Sequence, residues 1–144
     1  MKKALPIKGH VKIWQGDSLL CEGNNLVVAD GMLLLAERLI DGVTALPSLF
    51  KLGDSAALSN AEMTSLQGTI LASFDATVSR IENILKWNGN YTYMDTAQRT
   101  CREVGLFQSD SAGGRMLARF IPLQQFVIKS EVPLRINWEI TIGE

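Results

Sequence analysis

The sequence has few of the residues that cross-link a small protein or bind a metal. Its 144 residues include two cysteines, four prolines and one histidine. Because Cys21 and Cys101 stand far apart in the chain and no secretion signal is visible, we expect reduced thiols in the core rather than a disulfide. A metal site needs more ligands than these cysteines and His10 supply at such spacings. The composition therefore predicts no metal and no other cofactor.

The sequence also lacks an excess of charge and a long apolar run. Fourteen basic residues against fifteen acidic ones give a net charge of -1, so no strong positive field attracts phosphates and we expect no direct nucleic-acid partner. The longest apolar stretch, residues 32–36, is too short to cross a bilayer. Lys8 and His10 interrupt the first apolar residues before a signal peptide can form. We therefore expect a soluble protein that is made in a cytoplasm and does not contact membranes.

What is present is ordinary globular composition, with 47% hydrophobic and 20% charged residues. A chain of this length falls within the range of one domain and buries about two-thirds of its unfolded surface. No linker or internal repeat is visible, so we predict one folded domain over residues 1–144.

The first forty residues predict a hairpin followed by a helix. Val11 and Ile13 alternate with the polar positions around them, and Gly16 suits a tight turn between antiparallel strands. Asn24-Asn25 indicates a further turn. A helix then follows, with Asp30 as the expected N-cap and Gly42 at its end. Its apolar positions, expected to form its packing side, are Met32, Leu33, Leu35, Ala36, Leu39 and Ile40.

The middle of the chain is less regular. Residues 49–52 predict a buried strand, and residues 55–69 a long loop with one helical turn near 61–66. Strands are predicted over 70–74, 78–87 and 91–94. Asn88-Gly89 is the strongest short hairpin signal in the sequence, so we expect the turn between the last two strands there.

The final third predicts strands over 103–107, 116–121 and 134–142. Leu134, Ile136, Trp138, Ile140 and Ile142 alternate without a break with polar residues, which is typical of a strand with one buried face. The predicted fold is therefore mainly β, an antiparallel two-sheet sandwich of jelly-roll-like form with one short N-terminal α-helix. A β-barrel is the alternative.

A search for reactive groups predicts no catalytic residue, so we do not expect an enzyme. The segments Gly16-Asp17-Ser18 and Gly53-Asp54-Ser55 lack the Gly-x-Ser-x-Gly pattern of a nucleophile elbow. His10 is expected on the outer face of a strand, away from any triad. Glu103 and Asp110 have arginines nearby, so ion pairing explains both carboxylates. The Trp and Tyr residues are scattered and do not alternate with basic residues, which favours core or interface roles.

The most specific pattern lies in the last forty or so residues. It consists of REVGLF (102–107), GRMLAR (114–119), IPL (121–123), Lys129 and LRINWEI (134–140). This block resembles one found in small virion proteins of tailed phages. Residues 25–40 and Leu52-Gly53-Asp54 resemble the earlier part of such proteins.

The resemblance implies a non-enzymatic structural protein of a phage virion, made in the host bacterial cytoplasm. We favour a capsid decoration (cement) protein, because the chain shows no coiled coil or fibre repeat. The expected partners are a second or third copy of the chain, as a homo-dimer or homo-trimer, and the major capsid protein or neighbouring tail proteins. Contacts are expected from Met1 to Lys8 and from residues 55–69. The alternatives are a tail, baseplate or fibre-attachment protein and a carbohydrate-binding module, with an enzyme last.

Overall fold

A computed structural model describes residues 7–143, which form eleven β-strands, one α-helix and one short 3-10 helix. In chain order the elements are β1 (Ile7–Gln15), β2 (Ser18–Val27), α1 (Ala29–Asp41), β3 (Leu49–Gly53), β4 (Ile70–Asp75), β5 (Thr77–Ile81), β6 (Ile84–Tyr91), β7 (Arg99–Cys101), β8 (Glu103–Phe107), the 3-10 helix Asp110–Ala112, β9 (Met116–Phe120), β10 (Phe126–Ile128) and β11 (Leu134–Ile142).

Nine of these strands form one continuous sheet in the order β4-β3-β8-β9-β2-β1-β11-β6-β5, and β7 pairs with β10 separately. All pairings between these strands are antiparallel. The two outermost strands, β4 and β5, are separated in sequence by Ala76 alone. The sheet must therefore curve until its two edges meet at this residue.

The result is a nearly closed, barrel-like sheet. The predicted mainly β, antiparallel fold with one helix is confirmed, but the strands do not divide into the two separate sheets of a sandwich. The strand β2 explains the difference, because it pairs with β1 over most of its length and then with β9 through Leu26 and Val27. One long strand thus joins the two halves that a sandwich would keep apart.

The core lies between the facing walls of this sheet. The ring of Phe50 on β3 stacks on that of Trp138 on β11, with centroids 6.1 Å apart and planes 16° from parallel. Leu134, Ile136 and Ile140 are also buried, as the alternating pattern of the last strand predicted. The inward register of β11 is therefore confirmed.

The first hairpin is also confirmed. Val11 and Ile13 are fully buried, Gln15 pairs with Ser18, and Gly16 has a φ of 59° in the two-residue turn. The expected turn at Asn24-Asn25 is wrong, because β2 continues to Val27. Its pairing with β1, in which Gly9 opposes Asn25, carries the strand through these two polar residues.

The predicted hairpin at Asn88-Gly89 is wrong, since both residues lie inside β6. A Cβ atom at residue 89 would lie 2.5 Å from the carbonyl oxygen of Asp75 and 2.9 Å from the ring of Phe50. Glycine is needed here for close packing and not for a turn. The chain reverses instead between β5 and β6, where Glu82 has a φ of 52°.

Three further differences lie in less regular segments. Residues 61–66 contain a turn but no helical turn, the strands β7 and β10 were not predicted, and residues 91–94 contribute only the end of β6 and an isolated bridge from Tyr93 to Ser130. The short strands are three residues long. At that length, neither alternation nor turn residues distinguish a strand from a loop.

The helix α1 ends as expected but begins differently. Gly42 takes the left-handed conformation that closes the helix, and its N–H group binds the carbonyl oxygen of Arg38. The N-cap is Val28, and no side chain caps the first turn. Asp30 lies within that turn and binds Arg115, with 2.9 Å between Oδ1 and Nη2. The carboxylate is therefore used to attach the helix to the sheet.

The same end of α1 packs directly on the backbone of β9. A Cβ atom at residue 31 would lie 2.2 Å from the carbonyl oxygen of Leu117, and Leu34 is fully buried one turn further along. Arg115, just before β9, also binds Glu37. These contacts decide which side of the helix meets the sheet.

Candidate functional site

A buried ion pair joins the two most specific sequence segments. Glu103 on β8 and Arg119 on β9 have fully buried side chains, and Arg119 Nε and Nη2 lie 3.1 and 3.0 Å from Glu103 Oε1. Two charges in an interior are stable only when they are paired and their remaining hydrogen-bonding positions are filled. The surrounding backbone fills them.

Glu103 receives hydrogen bonds from both ends of the long loop after β3. The backbone N–H groups of Ser55, Gln67 and Gly68 donate to its carboxylate at 3.0, 2.8 and 2.7 Å. Arg119 completes the arrangement by donating to the carbonyl oxygens of Ser55 and Ala57. The pair therefore fixes the path of this loop through its backbone.

Glu103 and Asp110, the two carboxylates considered from the sequence, are not brought together as a pair. Asp110 is exposed and lies 3.3 Å from Lys51, while Glu103 binds Arg119. The expected pairing with a nearby arginine is confirmed for Glu103, whereas Asp110 pairs with Lys51 and not with an arginine. Sequence reasoning missed which arginine binds Glu103, since Arg119 is one of several near it in the chain.

His10 lies on the outer face of β1, as predicted. Its Nε2 atom is 3.0 Å from Oε2 of Glu22, and its Nδ1 atom is 3.4 Å from the side-chain oxygen of Asn24. The hydrogen bond from His10 lowers the pKa of the Glu22 carboxyl below its ordinary value, with Lys12 adding to the effect. The imidazole is therefore part of a polar network across β1 and β2, with no serine among its hydrogen-bond partners.

This network borders a shallow depression on the outer face of the sheet. The depression has a volume of about 470 Å³ and is lined by His10, Lys12, Trp14, Glu22, Asn137 and Glu139. The guanidinium of Arg135 lies 4.4 Å from the centre of the Trp14 ring. One aromatic side chain surrounded by polar groups is thus available on this face.

The other Trp and Tyr residues are less accessible. Trp87 and Trp138 are fully buried and Tyr93 nearly so, while Tyr91 is half-buried and stacks on Phe74. The predicted core role is therefore confirmed for Trp87, Trp138 and Tyr93.

Both cysteines are reduced, and Cys101 is buried while Cys21 is half-buried. Burial raises the pKa of the Cys101 thiol to about 12 and that of the Cys21 thiol to about 11. Both thiols are therefore protonated at neutral pH, and the thiolate is the reactive form. They act as core residues, as the sequence predicted.

The apolar residues of α1 are where the structure departs most from expectation. Met32, Leu33, Ala36, Leu39 and Ile40, here called the α1 apolar face, all point to solvent. Leu39 is 86% exposed and Ile40 is 90% exposed. Of the six predicted positions, only Leu35 is partly buried and packs against the core. The helical spacing therefore predicted the stripe but not its position, because Gly31 and Leu34 are the buried residues of the helix.

Within residues 7–143, no helix is long and apolar enough to span a membrane, and no group of three or more potential metal ligands is found. No protein-family model, curated protein or solved structure matches the chain.

Proposed function

We propose that the chain is a non-enzymatic structural protein of a tailed-phage virion. The observation that carries this proposal is the role of the two segments that resemble virion proteins. REVGLF and GRMLAR form the neighbouring strands β8 and β9, in which every residue is buried, and their Glu103–Arg119 pair holds a surface loop. The residues behind the resemblance thus lie in the core and fix a loop, which supports a structural role.

Within the virion, capsid decoration is the role we favour. The chain shows no coiled coil or fibre repeat, which a fibre component would often carry. The loop held by the ion pair presents Leu58, which is 87% exposed. A cement protein would bridge capsid subunits through exposed loop residues of this kind. Because the capsid repeats each contact by symmetry, contacts of moderate strength could together resist the internal pressure of the DNA.

The proposed contact regions are the N-terminal segment and the loop over residues 55–69. Of the first, Met1 to Pro6 lie outside the described residues. The second connects β3 to β4, and its backbone is fixed at Ser55, Gln67 and Gly68. A loop fixed at its ends loses little entropy on binding, which favours its use as a contact surface.

The test is to heat particles assembled without this protein. A cement role predicts that they release DNA at a lower temperature than complete particles, and that adding the purified protein restores the original temperature. Release at an unchanged temperature together with defective tails would refute the cement role in favour of a tail, baseplate or fibre-attachment protein.

A carbohydrate-binding module is the second candidate. The depression around Trp14 combines a half-buried aromatic ring with carboxylate, amide and imidazole groups, which are the side chains that recognise sugars. Glycan-array binding by the wild type that is lost in Trp14→Ala would support this function. Trp138→Ala is not a suitable control because it disrupts the core, so Leu123→Ala serves instead.

A further inference from the structure

The α1 apolar face is large enough to be a binding surface. Leu33, Leu39 and Ile40 are 60%, 86% and 90% exposed, and Val43 just beyond the helix is 79% exposed. Together with Met32 they present roughly 500 Å² of apolar surface, the size of the largest patch on a typical monomer, which is often a functional site. Solvating such a surface is unfavourable, so a partner that covers it is expected.

The arrangement of these residues is symmetric about Ala36. Met32 and Ile40 lie four positions before and after it, and Leu33 and Leu39 lie three positions before and after it. On the surface of an α-helix, residues spaced by four form one row and residues spaced by three form another, and here the two rows cross at Ala36. A second copy of the helix that runs antiparallel would therefore place its C-terminal leucine and isoleucine opposite the N-terminal methionine and leucine of the first.

The electrostatics of this face fit the same partner. A two-fold contact brings each surface against itself, so a charge near the axis would meet its own copy. The five residues of the α1 apolar face carry no charge, and the charged groups at its border have partners within the chain. Glu37 binds Arg115, and Asp41 accepts hydrogen bonds from Val43 and Thr44.

We propose that the α1 apolar face is the dimer interface of this protein, with two copies of α1 packed antiparallel across Ala36. Roughly 500 Å² from each copy, Val43 included, gives about 1,000 Å² in total, the area that a biological interface is expected to reach. Ala36 at the crossing point allows the two helices to approach closely. The inference rests on the proposed virion role, for which a homo-dimer or homo-trimer was expected, and adds the surface, the orientation and the number of copies.

The first test compares Leu39→Arg with Leu123→Arg by sedimentation velocity at tens of micromolar. Both leucines are exposed, at 86% and 96%, but only the first belongs to the α1 apolar face. We expect the wild type and Leu123→Arg to have twice the protomer mass of 15.8 kDa. Leu39→Arg should be monomeric, with at least a tenfold weaker dimerisation constant and an unchanged far-ultraviolet spectrum.

A second test locates the two-fold axis of the proposed dimer. Ala36→Cys should form a covalent dimer under mild oxidation, because the two introduced thiols would face each other, whereas Leu58→Cys should not. The wild type is the control for any cross-linking through the native Cys21 and Cys101.

A monomeric wild type would overturn the inference, and so would a Leu39→Arg variant that remains dimeric or an Ala36→Cys variant that does not cross-link. A dimer that survives Leu39→Arg would leave self-association standing through another surface. A monomer that still binds particles would leave the virion role standing. Wild-type protein that captures a different chain through α1, without dimerising, would show that the face serves another partner and would also refute the proposal.

Discussion

Trp138 is the residue whose truncation should affect the fold most. Its ring is fully buried and stacks on Phe50 from the opposite wall of the core. Trp138→Ala should lower the free energy of unfolding by about 3–5 kcal/mol, because it removes a large buried side chain and leaves a cavity in the core. That is a large part of the stability of a typical domain.

Urea denaturation measures this loss, and Trp14→Ala is the control. Trp14 is half-buried on the outer face, so its truncation should have a much smaller effect. An unchanged midpoint for Trp138→Ala would contradict the inward register of β11.

Arg119 should contribute nearly as much to the free energy of unfolding as Trp138, because it neutralises a buried carboxylate. Arg119→Met keeps most of the side-chain volume but leaves the buried carboxylate of Glu103 without its partner charge, and such a change costs about 3–5 kcal/mol. Because Arg119 also donates to Ser55 and Ala57, the loop should become accessible to proteases. Limited proteolysis with mass spectrometry locates the cleavage sites.

The exposed pair of Lys51 and Asp110 provides the matched control. Asp110→Ala removes a carboxylate that is largely solvated and should change stability by less than about 1 kcal/mol. Equal effects of Asp110→Ala and Arg119→Met would show that the buried pair does not hold the loop.

At the scale of elements, the attachment of α1 reverses a general rule. Replacing glycine by alanine inside a helix normally stabilises it by about 1 kcal/mol. Gly31→Ala should instead destabilise the protein, because the new Cβ atom would meet the carbonyl oxygen of Leu117 at 2.2 Å. Faster hydrogen exchange of the α1 amides would accompany the lower melting temperature.

Gly42→Ala gives the comparison for this prediction. No atom lies within 4 Å of a Cβ at residue 42, so its effect is limited to the strain of a positive φ, about 1–2 kcal/mol. A stabilising Gly31→Ala would mean that α1 does not pack on the backbone of β9.

At the scale of the whole molecule, the continuous sheet predicts cooperative unfolding. The main core draws buried residues from both halves of the sheet, and β2 joins these halves through its pairing with β1 and β9. We therefore expect one transition, with an enthalpy of about 100 kcal/mol for a chain of this length. Near- and far-ultraviolet circular dichroism should give the same midpoint at a fixed protein concentration, and two separate midpoints would contradict a single folding unit.

The sequence by itself determined those features that depend on neighbouring residues. The unbroken alternation of residues 134–140 identified the buried side of β11, the Gly16 turn defined the first hairpin, and Gly42 marked the end of α1. Each is a local pattern, in which the period of a strand or the backbone freedom of one glycine decides the outcome. The strands β7 and β10 were not predicted, because three residues are too few for such a pattern to be recognised.

Only the tertiary structure decided what depends on residues far apart in the chain. Gly89 lies within a strand because β6 pairs with β11, and it must be glycine because the ring of Phe50 and the backbone of Asp75 occupy the space beside it. Gly31 of α1 packs against β9, and this contact leaves most of the apolar residues of the helix facing solvent. The spacing of these residues would fit a buried face equally well. A period shows which side chains share a face, but long-range packing determines whether that face meets the core or the solvent.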